Sequence, residues 1–173
     1  MTVIYRHDLP EPGEFPQEVS TQAKKIPPTI PERDLKGRKD FRDGVVYTID
    51  GEDAKDFDDA ISLVRLESGN YLLGVHIADV SHYVFEGSAI DKEAFSRGTS
   101  VYLLDTVIPM LPFELSNNIC SLKPDEDRLT LSLIMELDQR GKLLSSKVEQ
   151  GVIRSTRRLT YTEVNEFLEG KAS

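Results

Sequence analysis

The stretch TIDGEDAKDFDDAIS, residues 48–62, contains a dense group of carboxylates. The acidic run, residues 50–59, holds six acids against the single base Lys55, and these acids are Asp50, Glu52, Asp53, Asp56, Asp58 and Asp59. Close carboxylates raise one another's pKa unless cations keep them ionised. Mg²⁺ prefers oxygen ligands and often also contacts substrate phosphates. The run therefore predicts a divalent-metal site to which Asp50, Asp56, Asp58 and Asp59 could contribute.

Several alternatives follow from the same residues. An exposed, solvated loop is the simplest, but apolar segments on both sides, GVVYTI and AISLVRL, predict that the run is anchored at both ends. A calcium loop of the EF-hand kind requires Gly at its sixth position and Glu at its twelfth. Counted from Asp50, these positions hold Lys55 and Ile61. A glycosidase carboxylate pair, a phosphatase-like site and an endonuclease metal site stay open as weaker possibilities.

The segments around the acidic run are predicted to be mainly strands. Residues 45–49, 60–66 and 71–78 are rich in β-branched and aromatic residues, and the turn ESGN joins the last two segments. A second hairpin is predicted from residues 128–138 and 143–156 around the turn QRGK. The acidic run is thus predicted to be the loop between two strands.

Helices are predicted between these strands. One fits residues 16–25 between prolines, and another fits residues 88–97 with Ser88 as its cap and Gly98 beyond its end. A short helix is expected near residues 114–119, and Thr160 and Glu163 have capping-box spacing before EVNEFLEG. The predicted fold class is α+β, with a mixed, largely antiparallel β-sheet and flanking helices.

Composition narrows the class of protein. The 173 residues fit one domain, and no apolar run approaches the ~20 residues that a membrane helix requires. The N-terminus lacks a signal-peptide layout, so we expect a cytoplasmic protein with no membrane partner. Cys120 is the single cysteine, which excludes an internal disulfide and a cysteine zinc site and predicts a buried thiol.

The net charge of −9 disfavours nucleic-acid binding if it is taken alone, because phosphate contacts come from Lys and Arg. Over half of that excess lies in the acidic run, whose six acids and one base give −5. Bound divalent cations would cancel most of it. The basic clusters RDLKGRKDFR and RSTRR are interpreted as solvated faces.

Four segments in order carry a family resemblance: TIDGEDAKDFDDA, VHIADVSHYV, GTSVYLLDTVIPMLP and LSNNICSL. Together they resemble the catalytic (RNB) domain of the ribonuclease II superfamily, in its bacterial ribonuclease R branch. The resemblance implies that residues 32–173 are the N-terminal portion of that domain. It also implies that residues 1–31, with six prolines, are a linker from preceding cold-shock modules.

The resemblance implies a magnesium-dependent, processive 3′-to-5′ hydrolytic exoribonuclease that binds the 3′ end of single-stranded RNA and releases nucleoside 5′-monophosphates. Mn²⁺ is a possible substitute cofactor. The invariant aspartates of the family fall on Asp50, Asp56, Asp58 and Asp59, and Asp58 is assigned to the second, catalytic cation. Tyr102 matches a family tyrosine that packs near the 3′-terminal nucleotides, although a tyrosine in this position reads as a core residue without the motif.

The family's catalytic domain is longer than this chain, and its later half supplies an essential arginine. None of Arg154, Arg157 and Arg158 is assigned that role. We therefore expect the isolated chain to be inactive and its partners to be the remaining RNB half and the cold-shock and S1 modules. The alternative is a non-catalytic divalent-metal-binding or protein-interaction module. His76 is expected to be a hydrogen-bonded sheet residue, and His82 to shape the loop beside the site.

Overall fold

A seven-stranded sheet organises the chain. The computed structural model describes residues 2–7, 9–104 and 106–171. The strands of the sheet are β1 (Lys39–Asp40), β2 (Val46–Asp50), β3 (Asp59–Arg65), β4 (Tyr71–Ala78), β7 (Asp127–Leu137), β8 (Leu143–Arg154) and β9 (Arg157–Thr160). A separate two-stranded hairpin consists of β5 (Val101–Tyr102) and β6 (Val107–Ile108).

The strand order in the large sheet is β1-β8-β7-β4-β3-β2-β9. The five central strands pair antiparallel, and the two edge strands β1 and β9 pair parallel to their neighbours. The mixed, largely antiparallel sheet that the sequence predicts is therefore confirmed.

Helices and helical turns flank the sheet. They are α1 (Thr2–Arg6), α2 (Gln17–Ala23), α3 (Glu32–Leu35), α4 (Ala89–Arg97), α5 (Tyr161–Leu168), a 3₁₀ turn (Val80–His82) and a π-helical turn (Leu115–Ile119). The predicted cap of α4 forms, since the Ser88 side chain accepts from the Asp91 backbone N–H. The capping box of Thr160 and Glu163 at α5 is also present. None of the helices in the described ranges has the length and apolar character needed to cross a bilayer.

The two faces of the sheet differ in what covers them. On one face, α2 and α4 contribute Val19, Ala23 and Ile90 to a buried core that also holds Cys120, as its sequence context predicts. Part of the proline-rich segment therefore belongs to the core, and the domain boundary after residue 31 stays a prediction. The other face leaves apolar side chains exposed by 37–61%, and we call it the open face; its residues are Ile61, Leu63, Ile77, Leu131 and Val148.

The basic cluster RDLKGRKDFR is not simply a solvated face. The Arg38 guanidinium lies 2.7 Å from the Asp79 carboxylate, and both side chains are buried. Burial opposes ionisation of Asp79, but hydrogen bonds from Arg38 and Ser81 outweigh it and lower the pKa of this carboxyl. His82 packs here, 3.2 Å from Asp34, and does not line the depression beside the acidic run. The expected role of His82 in shaping the loop beside the site stays a prediction.

His76 is a buried, hydrogen-bonded sheet residue, as predicted. Its Nε2 lies 3.0 Å from Ser62 Oγ on β3, and its Nδ1 lies 2.8 Å from Ser132 Oγ on β7. The Phe41 ring covers it with a centroid separation of 5.3 Å, and only a glycine at position 151 leaves room for that ring. Burial lowers the pKa of His76 to about 4.

This lowered pKa predicts acid sensitivity. The unfolded chain, with a histidine pKa of 6.5, binds the proton more readily than the folded chain, so stability falls as the pH drops from 6.5 toward 4. Between pH 7.5 and pH 5 we expect a loss of about 1–2 kcal/mol in the free energy of unfolding, measured with urea. His7 is exposed, so the control variant His7→Gln should lose as much stability between these pH values as the unmodified chain does. An NMR titration in which the His76 imidazole protonates near pH 6.5 would contradict the prediction.

Candidate functional site

The acidic run lies at one end of the sheet, where it connects β2 to β3. Asp50 is the last residue of β2 and shares the buried register of Val46 and Thr48. Asp59 is the first residue of β3 and shares the exposed register of Ile61. Because successive side chains of a strand alternate between faces, Asp50 and Asp59 belong to opposite faces of the same sheet end. Asp56 and Asp58 lie in the loop between them.

The carboxylates of the run act on one another electrostatically. Burial raises the pKa of Asp50, and the negative charges of Asp59 and Asp58 raise it further, while the Thr48 hydroxyl and the Arg158 charge oppose this shift. Burial also raises the pKa of Asp59, with a further contribution from Asp58. The structure therefore brings Asp50, Asp58 and Asp59 within electrostatic range of one another. In the folded chain, ionising Asp50 and Asp59 carries a cost.

Ser121 holds the C-terminal end of the loop. Its hydroxyl donates to the Lys55 carbonyl at 2.9 Å and accepts from the Phe57 backbone N–H at 3.1 Å. Leu122 N–H donates to the Phe57 carbonyl at 2.8 Å, and Ala78 N–H donates to the Asp58 carbonyl at 2.9 Å. Ser121 itself is fully buried. The backbone that carries Asp56 and Asp58 is thus fixed to the core on both sides of Phe57.

Arg158 contacts the N-terminal end of the loop. Its Nη2 donates to the Gly51 carbonyl at 2.5 Å and to the Glu52 carbonyl at 2.6 Å. The sequence interpretation placed this arginine in a solvated basic cluster and gave no function to Ser121, so it missed both anchors. The only available signal was the position of Ser121 within the segment LSNNICSL.

Tyr102 lies on β5, beside the acidic run. Its side chain is 65% exposed, so it is not a core tyrosine. The Tyr102 hydroxyl donates to Asp56 Oδ2 at 2.7 Å, and this hydrogen bond, with burial second, raises the pKa of Tyr102. An open depression of about 880 Å³ separates the loop from the β5–β6 region; its lining includes Asp53, Asp56, Tyr102, Leu104, Phe113 and Asn117. The predicted RNA-binding residue and a predicted metal ligand therefore contact each other at the lining of one depression.

The donor set suits a hard cation, although no closed cage is formed. Within residues 2–7, 9–104 and 106–171, no three acidic, histidine or cysteine side chains are grouped closely enough to hold an ion. Asp50 Oδ2, however, is buried without a hydrogen-bond partner among the described residues. An orphaned carboxylate oxygen, within electrostatic range of Asp58 and Asp59, is a donor that a Mg²⁺ or Mn²⁺ ion would satisfy. The joint ligation by four aspartates stays a prediction.

Comparison with known proteins gives the family. The RNB domain matches residues 38–173, so the chain belongs to the RNB family. It is 64% identical over 172 residues to ribonuclease R of Thermotoga maritima, which covers 99% of this chain and 24% of that protein. It is 54% identical over 158 residues to ribonuclease R 1 of Lactococcus lactis, covering 91% of this chain and 19% of that protein.

A solved structure agrees with the fold. Mycoplasma genitalium RNase R in complex with ribose methylated single-stranded RNA superposes with a TM-score of 0.85 at 34% identity, over 92% of this chain and 25% of that one. The present chain thus spans about a quarter or less of the length of the relatives it matches. The resemblance read from the four sequence segments is confirmed.

The cost of ionising Asp50 predicts a stabilising substitution. Asp50→Asn should raise the unfolding temperature of the metal-free chain at pH 7 by roughly 2–4 °C, because the buried charge is removed. A raised folded pKa means that the penalty is absent below the unfolded pKa of 3.8 and grows as the pH rises through the folded pKa, so the gain should shrink toward pH 4. Asp53→Asn, the same change at an exposed position of the run, should give a smaller gain. Equal gains at both positions would contradict the assignment.

Proposed function

We propose that this chain is the metal-ligand portion of a magnesium-dependent, processive 3′-to-5′ exoribonuclease that hydrolyses RNA to nucleoside 5′-monophosphates. The observation that carries the proposal is the acidic run, anchored at both ends within a chain of the RNB family. A loop that was only solvated would not need these anchors. The proposal places the enzyme in the cytoplasm.

Each predicted residue has a role in this proposal. Asp50, Asp56, Asp58 and Asp59 would hold one or two Mg²⁺ or Mn²⁺ ions, with Asp58 on the catalytic one. When bound, such ions supply water activation and charge stabilisation at the scissile phosphate. Asp50 contributes the buried oxygen that lacks another partner. Ser121 keeps the backbone on either side of Phe57 in place without contacting the ions itself.

Tyr102 would contact the RNA. Its exposed ring lines the depression beside the acidic run, where a base can stack on it, and such stacking is worth roughly 1–3 kcal/mol whatever the base. Its hydrogen bond to Asp56 links the position of the ring to that of a predicted ligand. The single-stranded 3′ end would thereby be directed toward the carboxylates.

The open face is suited to pack against another part of a longer polypeptide. Its five apolar side chains span β3, β4, β7 and β8 and have no covering layer among the described residues. Exposed apolar patches of this kind mark interaction surfaces. We assign this face to the remaining RNB half, because the relatives are about four times as long as this chain. Cold-shock and S1 modules would supply the basic surface that a chain of net charge −9 lacks.

A non-catalytic metal-binding or protein-interaction module is the second candidate. The absence of a three-ligand group among the described residues favours it, as does the exposed apolar area of the open face. Cation binding without RNA hydrolysis in any longer context would distinguish it from the nuclease.

The test uses a chimera in which this chain replaces the 172 aligned residues of Thermotoga maritima ribonuclease R. With Mg²⁺ and 3′-extended single-stranded RNA, the chimera should release monophosphates, and Asp58→Asn should lower the rate by at least ~10²-fold. Asp53→Asn is the matched control and should stay near the parent rate. The isolated 173-residue chain should release no monophosphates, because the proposal assigns further positioned donors to the remaining RNB half.

Two results would contradict this proposal. Asp58→Asn and Asp53→Asn chimeras with equal rates would remove Asp58 from the chemistry. Monophosphate release by the isolated chain at the chimera's rate would show that the remaining half is dispensable.

Tyr102 gives a separate prediction. In the chimera, Tyr102→Ala should lengthen the final undegraded product while cleavage of longer RNA continues, because stacking positions the RNA end without taking part in the chemistry. Tyr102→Phe keeps the ring and loses the bond to Asp56, so its end product should keep the parent length. Product lengths on a sequencing gel measure both. An unchanged end product in Tyr102→Ala would exclude the ring from the RNA path.

A further inference from the structure

The N-terminal end of the acidic loop has few ties to the core. Gly51, Glu52 and Asp53 are exposed, and no strand pairing continues past Asp50 on β2. One backbone hydrogen bond, from Ala54 N–H to the Gly51 carbonyl at 3.1 Å, closes a turn here. The Thr162 hydroxyl on α5 donates to Glu52 Oε1 at 2.9 Å, but this bond does not reach the backbone of the turn. Repulsion among the carboxylates favours opening of the turn, and a positive group at its carbonyls would oppose it.

Arg158 is placed to hold it. Strand β9 pairs parallel with β2, which sets Arg158 opposite Thr48 and Thr160 opposite Asp50. From this register the Arg158 guanidinium reaches the Gly51 and Glu52 carbonyls at 2.5 and 2.6 Å.

The same guanidinium also reaches the other end of the loop. Its central carbon lies 5.4 Å from the centroid of the Phe57 ring, a cation–π distance. Phe57 is buried and fixed through Ser121, whereas Gly51 and Glu52 are exposed. Arg158 therefore connects the exposed start of the loop to its anchored end.

We infer that Arg158 is a positioning residue, which sets the path of the acidic loop so that its aspartates can bind divalent cations together. It acts through the Gly51 and Glu52 carbonyls and Phe57, not by contacting substrate. The inference deepens the proposed function and rests on it for the cation. Groups that orient metal ligands in this way typically change metal affinity by about 10–100-fold.

Arg157 provides the matched control. It is the preceding residue on the same strand, it carries the same charge, and it pairs with Glu163 at 2.9 Å without contacting the loop. Arg157→Met and Arg158→Met thus remove one charge each from β9, but only the second removes the contacts to the loop.

The test uses the 173-residue chain and has two readouts. Hydrogen exchange of the Ala54 amide reports the loop turn, and Mn²⁺ titration followed by electron paramagnetic resonance reports affinity. Arg158→Met should speed exchange of Ala54 and weaken Mn²⁺ binding by about tenfold or more, while Arg157→Met changes neither. Arg158→Lys keeps the charge without the planar guanidinium, so it should retain only part of the protection of the Ala54 amide and part of the Mn²⁺ affinity. If the methionine variant fails to fold, the lysine variant is compared with the parent in its place.

Each outcome has a defined meaning. Unchanged Ala54 exchange in Arg158→Met would overturn the inference, and so would full rescue by Arg158→Lys, which would reduce the role to charge alone. Equal effects of Arg157→Met and Arg158→Met would likewise show a general electrostatic effect. Faster Ala54 exchange in a chain whose parent binds no Mn²⁺ would uphold the positioning role and contradict the proposed metal function instead.

Discussion

Repulsion among six carboxylates in ten positions is the constraint on which this end of the structure depends. Such a loop stays compact only if its backbone is held from outside, because the side chains themselves favour separation. The holding groups come from distant parts of the chain. Ser121 lies beyond the π-helical turn, its carbonyl accepts from Arg128 Nε at 2.7 Å, and Arg158 lies on the last strand. The fold thus contributes one anchor to each end of the loop.

The position of Asp50 shows how the sheet creates the cost that a cation would remove. The alternation of β2 buries every second residue, and a carboxylate at the end of that register loses water without gaining a hydrogen bond at Oδ2. An asparagine or threonine there would suit the fold better. A buried carboxylate with one oxygen that lacks a partner, penalised by burial and by neighbouring negative charges, is typical of a functional site, where stability is given up for ligand binding.

Local patterns predicted most of the elements but not the anchors of the site. β-branched and aromatic content predicted β2, β3 and β4, and alternation predicted the hairpin of β7 and β8. Ser88, Thr160 and Glu163 identified two helix starts, because capping acts within four residues. Strand β9 was missed, since it has four residues and pairs in parallel with a strand over a hundred positions earlier. Arg158 meets the loop across 106 and 107 positions and Ser121 across 64 and 66, and no local pattern encodes such separations.

The open face and the candidate site are parts of one surface. Asp59 shares the outward register of Ile61 on β3, and it pairs with Ile77 on β4, so the apolar face continues directly into the carboxylates. A layer that buried Ile61 and Ile77 would also remove water from Asp59, whose pKa burial already raises. That layer must therefore bring positive charge to the same edge or leave the penalty uncompensated. Covering the apolar face and completing the charge balance of the site are, on this geometry, a single requirement.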